Sequence, residues 1–211
     1  MLTQGQVGPL ASTSSLAAGQ QPPIRLSNMG AGVVQELHGR YYETAYRKAL
    51  FNCASTSGTT TTVGLATTYT GLCLTNPINS TVNIVLNKVG YAFLVAFTAA
   101  STIGLACGYN SGAAVTQTTA VTPHSSFFNT ASTPQGLVAS SATLPTTPFW
   151  THIFAAGLTG AITTEEIATG EVVDLEGSVI LPPGAYAIIA TSTASGASAL
   201  WGSFSWEEIP I

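Results

Sequence analysis

The chain has 211 residues, enough for one large domain or for a domain with an arm, and only 7% of them are Asp, Glu, Lys or Arg, against about 25% in ordinary soluble domains. With 45% apolar residues it is too hydrophobic for charge-driven disorder, and its five basic residues form no cluster able to neutralise several phosphates, so nucleic acid is not an expected partner. A surface this poor in charge does little to keep copies apart, which points to a protein covered by partners.

In chain order, residues 1–39 are rich in Gln, Ser, Gly and Pro without a sustained period and read as an extended arm. Its apolar spots, Val7, Leu10, Leu16, Ile24 and Leu26, are the expected contacts with a neighbouring subunit or other partner surface. No basic and apolar leader opens the sequence, so no secretory signal is expected. Residues 40–211 form the expected single β-domain. Between 33 and 51, Tyr42, Tyr46 and Leu50 recur at helical spacing, whereas Tyr41-Tyr42 and Thr44 suit a strand. A strand entering the domain at about Arg40 is the reading adopted.

Strands are then expected over 63–74, before the turn Asn76-Pro77-Ile78-Asn79, and over 80–95, where Val82, Ile84 and Leu86 alternate before an apolar block. Residues 89–109 have the length of a membrane span, but Thr98, Ser101 and Thr102 sit mid-stretch and Gly90, Gly104 and Gly108 punctuate it. Two consecutive buried strands, 91–99 and 102–109, fit better, and no membrane partner is expected. Residues 110–148 read as turn-rich polar sequence. Further strands are expected over 149–156, 171–175, 178–181, 185–192 and 200–206, with turns at Glu176-Gly177 and Pro182-Pro183-Gly184. Eight or so short strands without a strong amphipathic helix indicate an all-β jelly-roll or β-sandwich domain.

Chemistry-bearing residues do not converge in the sequence. His38, His124 and His152 lack metal-ligand spacing, and Cys53, Cys73 and Cys107 fit buried small side chains better than a disulfide framework or a zinc site. Adjacent acids at Glu165-Glu166 and Glu207-Glu208 would face opposite sides of a strand, and loop solvation is expected of both pairs. No cofactor, metal or catalytic site is expected. Charge is polarised along the chain, however. All five basic residues lie within the first 88 positions and seven of the nine acids lie after position 160, an arrangement that allows head-to-tail complementarity between subunits. Trp201, Phe204 and Trp206 in the last strand carry aromatics on both of its faces and are expected to pack between subunits.

Three stretches, TGLCLTNPINSTVNIVLNKVGYAF (70–93), VDLEGSVILPPGAYAIIATSTA (173–194) and WGSFSWEEIPI (201–211), cover about a quarter of the chain. Together they resemble β-rich virion proteins of tailed bacteriophages, and most of all the jelly-roll decoration (cement) proteins that sit as trimers on the head. The resemblance implies a homotrimer on the capsid surface that clamps neighbouring major capsid protein subunits, made in the host cytoplasm. It transfers no catalytic residue. A tail, fibre or baseplate component, or a carbohydrate-binding β-sandwich, are the alternatives.

Overall fold

The computed structural model describes residues 39–62, 64–93, 97, 99–128, 132–157, 169–195 and 200–211, together with two short strands near the N-terminus. The chain divides into two units, Met1–Arg40 and Tyr41–Ile211. In the first, β1 (Gly5–Gln6) pairs in parallel with β2 (Ile24–Arg25), Gly5 opposite Ile24. At these positions the expected extended arm is paired with itself. Ile24 thus lies in β2; Val7, Leu10, Leu16 and Leu26 lie outside the described residues.

The second unit is a β-sandwich. One helical turn, α1 (Tyr42–Tyr46), precedes β3 (Leu50–Ala54), β4 (Thr68–Thr75), β5 (Val82–Phe93), β6 (Ser101–Tyr109), β7 (Thr116–Val121), β8 (His124–Ser125), β9 (Leu137–Thr143), β10 (Phe149–Gly157), β11 (Thr169–Leu181), β12 (Ala185–Thr191) and β13 (Leu200–Pro210). Six strands form one sheet in the order β10-β6-β12-β4-β9-β7, and five form the other in the order β11-β5-β13-β3-β8. Every pairing in both sheets is antiparallel. The chain changes sheet at each connection except β6–β7 and β9–β10.

The sequence pattern accounts for most of this. In β5 the residues that join the core are Ile84 and Leu86, then Val89, Tyr91 and Phe93, so the inward side switches from even to odd numbers. The switch sits at Asn87. Leu86 pairs with Trp206 and Val179, Lys88 pairs with Ser205 and Asp174, and Asn87 is left over as a bulge. Its side chain is bonded to the Glu207 carboxylate at 3.0 Å.

Strand β12 (AYAIIAT) is buried along its whole length. Ala187 and Ile189 join the core between the sheets, and Tyr186, Ile188 and Ala190 join a second cluster with Tyr69, Cys73, Leu144 and the partly buried Trp150. A strand covered on both faces reads as a continuous apolar run. Gly108 on the neighbouring strand makes room for this second layer, because a Cβ there would come within 2.2 Å of the Tyr186 phenol oxygen.

Several expectations need correction. The strand expected from about Arg40 begins at Leu50, and the residues before it form α1, where Glu43 and Arg47 pair one turn apart at 2.8 Å and Tyr42 stacks on Tyr46. Lys48, at φ 62°, ends that turn. Of the two strands expected within 89–109, the second is β6 as expected and the first is the end of β5, at Phe93, in the other sheet; among the described residues no helix is long and apolar enough to cross a membrane. Region 110–148, read as turns, contributes β7, β8 and β9. Glu176-Gly177 is no reversal: both halves of β11 pair with β5 in the same sense, and the two residues, at φ 52° and 76°, form a bulge between Asp174 and Val179.

Two of the three stretches that carry the resemblance meet at Asn76. Its backbone N–H donates to the Ala185 carbonyl at 2.9 Å and its carbonyl accepts from the Gly184 N–H at 2.8 Å. Its side-chain amide donates to the carbonyls of Val82 (2.8 Å) and Leu181 (2.9 Å). One buried side chain thus ties the Asn-Pro turn to the Pro-Pro-Gly turn.

Candidate docking surface

Strand alternation sets the chemistry of the outer face of the five-stranded sheet. In β13, Leu200, Gly202, Phe204 and Trp206 point into the sandwich and Trp201, Ser203, Ser205 and Glu207 point out. Phe204 and Trp206 are fully buried in the core of their own chain, Trp206 being 0% exposed and its ring 6.1 Å from that of Phe51. They are therefore not intersubunit residues, because alternation turns both inward. Trp201 alone of the three faces outward.

Around it lies a shallow groove of about 410 Å³ floored by Ala54, Gly90, Ala92, Gly170 and Ser203, with Glu171 and Val172 along one side. The floor is low because its residues are small. At Gly90 even a Cβ would meet the Ser203 hydroxyl at 2.4 Å. The Trp201 indole nitrogen is buried and has no hydrogen-bond partner among the described residues. A second hollow of about 570 Å³ continues across β13 and β3, sharing Ala54, Val172 and Ser203 with the first. Tyr41 and Phe128 stand on its rim, with Asn52, His124, Ser126 and Ser205 between them. The Lys88 ammonium lies 5.6 Å from the Tyr41 ring centroid.

The cysteines have no place in nucleophilic chemistry at neutral pH. Burial pushes the Cys53 thiol up to about 11, a contact with the Ala54 carbonyl opposing it in part. Burial, then the nearby Cys107, pushes Cys73 up to about 12, and burial pushes Cys107 up to about 11. All three are free and buried. His124 lies on β8 in one sheet and His152 on β10 in the other. Among the described residues no three His, Cys, Asp or Glu side chains converge as a metal site.

The pair Glu207-Glu208 lies in β13 and is tied down rather than merely solvated. Glu208 accepts the backbone N–H groups of Gln135 (2.9 Å) and Gly136 (2.8 Å) and the Trp206 indole N–H (3.3 Å). Its carboxylate anchors the loop before β9, a role that adjacency in sequence does not reveal. Glu165 and Glu166 lie outside the described residues, as does His38.

What the arrangement offers is surface. Tyr42, Tyr46, Phe127 and Phe128 are exposed at the α1–β8 margin, Phe149 and Ile180 at a hollow of the β10–β11 margin, and Val172 beside the groove on the outer face. Sequence reasoning missed both groups, because each joins residues from separate segments and no period marks them. No family model, curated protein or solved structure matches the chain.

Proposed function

We propose that this chain is a structural subunit of a virus particle: a head decoration protein of a tailed bacteriophage that binds the major capsid protein and stabilises the shell as a homo-oligomer. The observation that carries the reading is the surface. On a chain with 7% charged residues, large aromatic and aliphatic side chains lie exposed in groups at both margins of the sandwich, the pattern expected of a protein that works while covered by others.

The resemblance supports the choice among assemblies. Its three stretches supply most of β4, β11 and β13 and all of β5 and β12; of these β4, β5, β12 and β13 lie in the middle of the sheets, and the first two stretches meet at Asn76. A capsid-surface location follows from the same reading. The test is co-sedimentation with heads prepared without this protein. Saturable pelleting with the heads is the expected result, and no pelleting at tens of micromolar overturns the proposal.

A carbohydrate-binding module is the second reading, favoured by one feature: Tyr41 and Phe128 flank Asn52, His124 and the serines in a hollow on an open sheet face. Binding to a glycan panel that is lost in Phe128→Ala, without head binding, would select it.

A further inference from the structure

The two lateral margins of the sandwich differ in chemistry. At one, Tyr42 and Tyr46 stack with centroids 6.0 Å apart, Phe127 meets Tyr46 edge-on at 6.0 Å, and Phe128 is 82% exposed. Arg47 and Lys48 are exposed beside them. Arg47 is matched by Glu43, so the segment 42–48 carries one net positive charge (two basic residues less one acid).

At the other margin, Phe149 and Ile180, both exposed, flank a hollow of about 400 Å³ between β10 and β11. Strand β11 adds three exposed acids, Glu171, Asp174 and Glu176, and no basic residue; Lys88 on β5 lies opposite Asp174. Strands β8 and β11 are the outermost strands of the same sheet, on opposite sides. One margin is thus aromatic and basic, the other aliphatic and acidic.

Neither margin suits strand addition. Strand β8 has two residues, the bulge between Asp174 and Val179 interrupts β11, and register shifts between Trp150 and His152 and between Ile153 and Ala155 interrupt β10. Contact at either must run through side chains.

We infer that the α1–β8 margin of one copy docks on the β10–β11 margin of the next, giving a heterologous, head-to-tail contact between identical chains. The inference rests on the reading that the chain works through protein contacts, and it names the surfaces. Four aromatics about half exposed, at roughly 150–250 Å² each, offer about 400 Å² of apolar area. That is half of the roughly 800 Å² per partner in a standard interface, a fitting share for the apolar centre of one with a charged rim. Such a contact closes into a ring or continues as a filament, according to the rotation between copies.

The test uses the full chain and two variants at exposed positions, Phe128→Asp on one margin and Ile180→Asp on the other, each first shown to melt as the parent does. The parent is expected to associate with concentration in sedimentation equilibrium, more weakly as salt rises. Each variant alone is expected to lose association by at least tenfold, since every contact needs one of each margin. Mixed in equal amounts they are expected to form a dimer and stop there, because one intact pair of margins remains. A parent that stays monomeric to about 100 μM overturns the inference, as does association of either variant alone at parental strength, or a mixture that stays monomeric. Head co-sedimentation is read separately, so a monomer that still decorates heads would remove this contact and leave the proposed function standing. A variant mixture that dimerises with no head binding would do the reverse.

Discussion

Replacing Asn76 by alanine removes both side-chain donors from the junction of the two turns while leaving the backbone bonds to Gly184 and Ala185 in place. Each lost bond is worth about 1 kcal/mol net, and a buried carbonyl left without a donor costs about 1–3 kcal/mol more. The Val82 carbonyl keeps the Ser80 hydroxyl at 3.3 Å, so the larger penalty falls at Leu181. Part of the loss is offset, because the Asn76 side-chain oxygen is itself buried without a partner among the described residues. The sum is a destabilisation of about 2–4 kcal/mol. In urea unfolding this appears as a lower midpoint at unchanged slope, and in thermal melts as a drop of roughly 5–15 °C for a domain of this size. Asn76→Asp must cost more than Asn76→Ala, because it points acceptor oxygens at two carbonyl oxygens and buries a charge. A loss below about 1 kcal/mol in the alanine variant, or an aspartate variant no worse than it, would refute the claim that this side chain ties the turns together.

Other expectations follow from the same structure. Phe204→Ala and Trp206→Ala each lower stability by about 3–5 kcal/mol, whereas Phe128→Ser stays within about 0.5 kcal/mol; chemical denaturation of all three checks the division between core and surface. Gly108→Ala places a Cβ against the Tyr186 ring and destabilises by about 1–3 kcal/mol, measured as a melting shift. The thiols keep their protons to about 11 or 12 in the folded chain, above their ordinary value of 9.0. The folded state therefore binds more protons than the unfolded state once pH exceeds about 9, so stability is complete below that and falls as pH rises toward 11. Tyr69, held well above its ordinary range by burial, acts in the same direction. Melting from pH 7 to 11 should show the decline, with a shallower one when all three cysteines are serine.

The all-β class was legible because the apolar alternation in β5 and β13 and the apolar run of β12 are strong and the turns between strands carry Pro, Gly and Asn. Strands β7 and β9 were not, since TQTTAV and LVASSAT hold small and hydroxylated residues that suit a strand and a loop alike. Alternation also showed that Trp201 and Trp206 lie on opposite faces, but a period of two does not say which face is the core. That depends on the opposing sheet, which places Trp206 inside. The bulges at Asn87 and Glu176 are set by cross-strand register, as are the grooves on the outer face. The exposed aromatic group depends on α1 standing beside the segment after β8, which no local pattern encodes.

Imaging heads that lack this protein after incubation with it tests the central claim most directly. The account predicts added density at symmetry-related positions on the shell, saturating at a fixed number of copies, with sandwich margins in contact between copies or with the capsid surface. Heads left bare at saturating protein, or protein scattered without regard to the lattice, would contradict it.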